Sequence, residues 1–508
     1  MSRPKLTRSA RRAVHRGQSD GRLWLAIGIS VTGLFFAHAT LAAGVLPAGT
    51  SVDVTTTGAN GATGDLGVAS SLRWSGPASL TLAANHDVSV TTGTTIANNG
   101  AGNLILRADA SGIDNGGSVR SGGTVDWSNS TGIVSVLYDM NGSATLGTMR
   151  GNTAWTAPFD SGLVDQITAY WLVNTRSDIL NIAGDLAGNY ALGKDVDATN
   201  PGAPPNVLVG DLPTPFTGQF DGMGRAISNL TVSATSEIFD FSPHAVGLFG
   251  VIGPTAVVRN VTVNGRAGGD EALLNASMGI LAAINHGTIA NAHSSGSAGT
   301  FDGPGAGGLV GYNDGLITRS SSSAGVGHSG GGLVNGNGET GVIRQSFATG
   351  AVEGFAHVSY VGGLVNVNSG TITQSYATGP VTYNPNYCGH FGGNVCDAGA
   401  GALVGWNLGT GKITQSFATG MIIQDLGPTG GQLPAHLRIA KGLSARVQHG
   451  EFAGSPSRLC YTHSCIPALA QVTGTNSPSA KNHADIVRAS SSMTSASVRP
   501  EDARTCNE

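Results

Sequence analysis

The side chains that could do chemistry are few and out of step with one another. Between residues 248 and 420 the acids include Asp270, Glu271, Asp302, Asp314, Glu339, Glu353 and Asp397, and the bases are Arg259, Arg266, Arg319, Arg344 and Lys412. Two facing carboxylates could hydrolyse a glycosidic bond as an acid/base pair. Carboxylates around Ca²⁺ beside a base could instead serve a polysaccharide lyase. Either site needs acids that recur at one phase of the chain, and these do not. Asp270, Glu271 and Asp302 fall between repeats, where a solvated charge is the expected role. His286 and His293 share one repeat unit, but a third ligand is not evident beside them. The chain has no His-Glu-x-x-His, no Gly-x-Ser-x-Gly and no P-loop. The nonapeptide Ca²⁺ repeat is also absent. The expectation is a chain with no catalytic, cofactor-binding or metal-binding residues.

What does recur is a structural unit. It reads GILAAINHGTIANA (279–292), GGLVGYNDGLITRS (307–320), GGLVNGNGETGVIRQS (331–346), GGLVNVNSGTITQS (362–375) and GALVGWNLGTGKITQS (401–416), with a fainter copy at 246–263. The anchor leucines are Leu248, Leu281, Leu309, Leu333, Leu364 and Leu403, in steps of 33, 28, 24, 31 and 39 residues. Self-similarity of this length marks a solenoid, in which each unit covers only its neighbours.

Stacking at about 4.8 Å per rung places like residues above one another. The leucines and Ile289, Ile317, Ile343, Ile372 and Ile413 then form inner apolar columns. Asn285, Asn313, Asn337, Asn368 and Asn407 form an amide column able to pass hydrogen bonds between rungs. Asn tolerates the left-handed backbone of a turn. Gly287, Gly315, Gly370 and Gly409 follow where a positive φ would cost glycine little. Phe347, Tyr376 and Phe417 are a candidate aromatic stack. Asn and aromatic columns could line a sugar groove, but a ladder at constant phase is what stacking itself requires, so a structural role is expected.

Composition agrees with an all-β chain. Of 508 residues 78 are Gly, and only 11% are charged. Residues 23–431 keep 12 basic against 25 acidic side chains, a poor match to nucleic acid, whose binding rests on phosphate neutralisation. Five segments follow. Residues 1–42 read as an extended signal peptide: a basic leader, an apolar run Leu23–Phe36, then small-x-small sites at Ala37-His38-Ala39 and Thr40-Leu41-Ala42. An uncleaved anchor is the alternative. Residues 43–150 alternate apolar and polar side chains and predict a β-helical region. Residues 151–214 predict a connecting segment with one helix over 176–187, capped by Ser177 or Thr175. Residues 215–431 are the repeat array, with ISNLTV (227–232) recurring as VRNVTV (258–263). Residues 432–508 hold only four glycines. That segment predicts a disordered tail unable to add a rung, either a genuine domain or a frameshift product. Cys388 and Cys396, flanking GHFGGNV, are expected to form a local disulfide in an oxidising compartment, or to remain two loop thiols.

The repeat resembles the GLUG motif, seen here in GGLVGYN with its following Ile and in SYATG-like endings. The stretch LVNTRSDILNIAGDLAGNYALGKDVDA, then TPFTGQFDGMGRAISNLTV, resembles the segment preceding such repeats in filamentous-haemagglutinin-like adhesins. That resemblance covers about residues 70–430. It implies a right-handed parallel β-helix, export across both membranes of a Gram-negative cell and a role in attachment. It also implies a host glycan or protein receptor and an outer-membrane transporter as partners. The secretion motif of such adhesins is not matched: Asn384-Pro385-Asn386 is followed by Tyr387. The expected function is a secreted or cell-surface adhesin that binds without catalysis and could self-associate through an open solenoid end. Alternatives are a carbohydrate-active β-helix enzyme and a truncated remnant of a larger adhesin.

Overall fold

The computed structural model describes residues 51–58, 63–234, 242–269, 275–299, 305–327, 329–354, 360–383 and 399–424, with backbone strands at 39–41, 44–45, 458–461 and 464–467. Residues 1–38 of the signal-peptide reading, the Cys388–Cys396 pair and most of 432–508 lie outside them, whereas Ala39–Leu41, within the segment read as a signal peptide, pairs in parallel with Leu66–Val68. The chain divides into two compact units, residues 1–111 with 115–155, and 112–114 with 156–508.

Both units are parallel β-helices. In the first, Leu66, Val88 and Val119 stack on one face. Leu72, Ile96 and Val125 stack on the second, and Leu80, Leu104 and Val134 on the third. Strands such as Leu72–Trp74 and Val88–Val90 alternate buried, exposed, buried, as a period of two places every second side chain inside the coil. Trp74 and Trp127 meet edge to face at 5.4 Å in this core. Their indole N–H groups donate to Ala78 O at 2.7 Å and Gly102 O at 3.0 Å, so neither polar tip is stranded.

The second unit starts earlier than the sequence predicts. Ile167–Val173 pairs in parallel with Asn189–Leu192, which pairs with Gln219–Ala234. Residues 167–209 are therefore rungs and not a connector. Their core is aromatic: Phe216 lies 6.4 Å from Tyr190 and 5.3 Å from Phe249, and Phe220 lies 5.5 Å from Phe249. Further along, the same column becomes aliphatic, Val258, Ile289, Ile317, Ile343, Ile372 and Ile413 in register. The two sequence copies ISNLTV and VRNVTV are out of register, because Ile227 pairs with Val263 and it is Phe220 that pairs with Val258. A bulge on each side of Arg225–Ile227 absorbs the offset.

The helix α1 spans only Arg176–Asn181, followed by a 3₁₀ turn at Ile182–Gly184. Thr175 and Asp178 close a capping box, with Asp178 N donating to Thr175 Oγ1 and Thr175 N to Asp178 Oδ2. Ile179 and Ile182 are buried, whereas Leu180 is 38% exposed, so the apolar stripe is too narrow to carry the helix to 187. At the far end, Arg458–Tyr461 pairs in parallel with Ile422–Gln424 and folds back on Ser464–Pro467. The tail thus contributes a strand despite lacking the repeat, since pairing needs only backbone N–H and C=O groups.

Candidate functional site

The asparagine column is a continuous chain of amides, buried at Asn285, Asn313, Asn337 and Asn368 and half-buried at Asn407. Asn285 Nδ2 donates to Asn313 Oδ1 at 2.7 Å, Asn313 to Asn337 at 2.8 Å, Asn337 to Asn368 at 2.8 Å and Asn368 to Asn407 at 2.7 Å. Each amide also reaches a carbonyl in its own turn, Gly287, Gly315, Gly341, Gly370 or Gly411. Asn285, Asn313 and Asn368 are 0% exposed. No ligand can reach them.

The turn glycines work differently from the sequence expectation. Neither the ladder asparagines nor Gly287, Gly315, Gly370 and Gly409 has a positive φ. A Cβ at Gly315 would instead meet Gly287 O, and one at Gly370 would meet Gly341 O. Close backbone approach, and not handedness, is the constraint. In the longer last turn Gly411 takes that place and Gly409 faces open space.

The left-handed corner lies elsewhere, at Met223, Asn260, Asn291, Arg319, Gln345, Gln374 and Gln415, with φ between 49° and 53°. Its side chains form an outer ladder that partly offsets the strain of about 1–2 kcal/mol per residue. Asn291 donates to Asn260 at 3.0 Å, Arg319 Nε to Gln345 at 3.4 Å and Gln345 to Gln374 at 3.3 Å. After Arg319, Gln345, Gln374 and Gln415 the next residue is a buried serine. Ser320, Ser346 and Ser375 N–H groups donate to the hydroxyls of Ser346, Ser375 and Ser416 at 3.1–3.2 Å. Each of these four hydroxyls donates to the carbonyl two residues back at 2.8 Å. Sequence reasoning missed both ladders; the repeated Ile-x-Gln-Ser was their signal.

In the repeat array the third face runs through the strands Phe347–Ala348, Tyr376–Ala377 and Phe417–Ala418, and outside it stand Gln345, Gln374 and Gln415, then Phe347, Tyr376 and Phe417, then Thr349, Thr378 and Thr419. The rings stack at 4.9 Å and 5.3 Å, with interplanar angles of 2° and 9°. Their faces cover one another, so the outward surface is a line of ring edges between amides and hydroxyls. Stacking a sugar on a ring face, the usual aromatic route, is blocked at Tyr376 and leaves only the outer faces of the two end rings, Phe347 and Phe417. Tyr360 and Trp406 form a second outward stack at 4.6 Å.

Charged groups serve this scaffold too. The Arg259 guanidinium bonds Asp221 at 2.6 Å, with side-chain exposures of 7% and 3%. It also meets Tyr170 OH at 3.3 Å. Burial, ahead of the opposing pull of Arg259, pushes the Tyr170 hydroxyl above the usual phenol range. Residues 159–162 lie across later rungs: Asp160 pairs with Arg344, the Phe159 ring sits 4.5 Å from the Arg344 guanidinium, and Arg319 donates to Phe159 O. Arg259, Arg319 and Arg344, three of the five bases considered for catalysis, are thus engaged in packing contacts. Asp314 accepts from Thr340. Glu339 and Glu353 are exposed, and Asp270, Glu271, Asp302 and Asp397 lie outside the described residues. His293 bonds Ser321 at 2.8 Å and its pKa is lowered by burial. His286 is exposed, and among the described residues neither histidine joins a group able to hold a metal.

The first unit holds two acidic groupings. His86 Nδ1 lies 3.2 Å from Asp65 and 3.4 Å from Asp87, and Arg120 pairs with Asp87. Asp65 sits below the usual carboxylate range: burial pushes up, but Thr63, the Asp87 amide and His86 outweigh it. Asp109 and Asp139 are both 0% exposed and adjacent. A buried pair cannot contact a polysaccharide, so it makes no glycosidase site.

No family model matches the sequence. The chain is 31% identical over 169 residues to halomucin of Haloquadratum walsbyi, covering 31% of this chain and 2% of that protein. It is 31% identical over 129 residues to a protein of Evansella cellulosilytica described as a Gly-rich membrane protein, covering 24% of this chain and 14% of the relative. The chain therefore spans only a small part of both curated relatives. A solved structure described as an immunoglobulin A1 protease of Bacteroides ovatus aligns with 54% of this chain and 84% of its own, at a TM-score of 0.39 and 18% identity.

Proposed function

We propose that this protein is an exported, non-catalytic surface β-solenoid that binds through the outer third face of its repeat array. One observation supports this above the rest. The repeated Asn and Ser side chains are consumed by buried rung-to-rung bonds, so no repeated group is left for catalysis. What repeats toward solvent is a stiff line of amides, ring edges and hydroxyls at 345–349, 374–378 and 415–419. Such a face suits many weak contacts to a polymer or a cell surface, whose strength grows by summation along the rungs. The similarity to part of a Gly-rich membrane protein agrees with a surface location. A host glycan or protein receptor, with an outer-membrane transporter for export, completes the adhesin reading.

The test is a triple variant, Thr349→Glu, Thr378→Glu and Thr419→Glu. Like charges one rung apart would repel an anionic surface and disturb the line of hydroxyls, while the inner ladders stay intact. Binding of the full chain to epithelial cells and to a glycan array should fall at least several-fold with thermal stability nearly unchanged. Unaltered binding would remove this face from the function. Release of unsaturated uronates or reducing ends from a polysaccharide would replace the non-catalytic reading with a lyase or hydrolase.

A further inference from the structure

The least explained group in the molecule is the carboxylate pair of the first unit. Asp139 ends the strand Val134–Asp139, and Asp109 follows the strand Leu104–Arg107 of the neighbouring rung. Their carboxylate oxygens lie within 4.8 Å of one another and both residues are 0% exposed. Asp139 Oδ2 accepts from Gly116 N and Gly117 N, each at 2.9 Å. Asp139 Oδ1 is buried with no hydrogen-bond partner.

Two buried, facing carboxylates repel, and an acceptor left bare in the interior costs about 1–3 kcal/mol or more. A shared proton or a bound cation removes both costs. The strain of the site is built in, since Asp109 holds a left-handed φ of 45° that turns the chain sharply after its strand. This pair offers only oxygen, which matches a hard dication and not zinc or copper.

We propose that Asp109 and Asp139 bind one Ca²⁺ ion that locks this rung of the first unit. Ca²⁺ takes about six to eight oxygen ligands at flexible geometry, so the two carboxylates anchor it while carbonyls and water fill the shell. The other acidic group, Asp65 with Asp87, has the basic side chains of His86 and Arg120 beside it and serves as an internal control.

The experiment uses the full chain, stripped with a chelator and held above neutral pH. Calorimetric titration with CaCl₂ should give saturable binding at a single site, and Ca²⁺ should raise the unfolding temperature by several degrees. Asp109→Asn and Asp139→Asn should each abolish the shift, whereas Asp65→Asn should keep it. A wild-type protein with no Ca²⁺ heat and no thermal shift at millimolar Ca²⁺ overturns the proposal, even if the variants fail to fold. A shift that survives in both Asn variants, or that follows Asp65, overturns it equally.

Discussion

At the scale of single residues, polar groups in this protein earn their place by stacking. Asn368 both donates to Asn407 and accepts from Asn337. Asn368→Ala therefore strands amide groups in two neighbouring rungs and should destabilise the second unit by about 1–2 kcal/mol. Denaturant unfolding measures this directly. If adhesion vanished with stability unchanged, Asn368 would be a contact residue after all. Asp139 makes a second residue-scale prediction. Burial first, then the charge of Asp109, pushes its pKa from 3.8 to about 7. The folded state thus holds this proton more tightly than the unfolded chain does. Without divalent cation, the associated stability is complete below the unfolded value and is lost as pH rises through about 7. Melting in chelator on either side of that pH should show the lower transition on the alkaline side. The Asp139→Asn variant should flatten that difference.

At the scale of the element, one rung is held to the next by what glycine omits. A Cβ at Gly379 would run into Gly350 O, and one at Gly420 into Gly379 O, while one at Gly409 would meet nothing within 4 Å. Gly379→Ala should force the rungs apart and cost about 1–3 kcal/mol, the range of overpacking. Gly409→Ala should be neutral or stabilise by up to about 1 kcal/mol through the unfolded chain. Equal effects in a thermal melt would refute this reading of the turn. The corner residue obeys a different rule. Gln345, Gln374 and Gln415 hold the same left-handed φ without being glycine, and for Gln345 and Gln374 a neighbouring rung supplies an amide partner to the side chain.

At the scale of the second unit, the last described repeat presents apolar side chains outward, while its inward Leu403, Val404 and Ile413 stay buried. Trp406, Phe417 and Met421 of the last repeat are 40%, 49% and 45% exposed. Among the described residues, the strands Lys412–Thr414 and Phe417–Ala418 pair with the preceding rung alone. Only Ile422–Gln424 receives a further strand, Arg458–Tyr461. Solenoid ends of this kind need a polar cap, and a bare edge is a template for another chain. Ending the chain after Gln424 should therefore produce concentration-dependent association in sedimentation velocity, and Phe417→Lys in that shortened chain should reduce it. A single monomeric species across the range would show that the end is closed by other means.

The sequence by itself determined the solenoid, because stacking demands the same side chain at the same phase, and that demand is written as a repeat. Leu309, Ile317 and Asn313 could be assigned to inner columns from spacing alone. Tertiary structure decided everything that depends on residues far apart without a shared phase. Asp160 finds Arg344 across 184 positions, and Tyr170 finds Arg259 across 89. Asp109 and Asp139 look like ordinary solvated acids until the coil closes and places both in the interior. The aromatic rungs at Tyr190 and Phe216 carry no copy of the motif, so only their packing and pairing reveal that the second unit's coil begins at Ile167. A repeat encodes nearest-neighbour contacts between equivalent positions; buried charge pairs and non-repeated cores arise from where the completed coil excludes water.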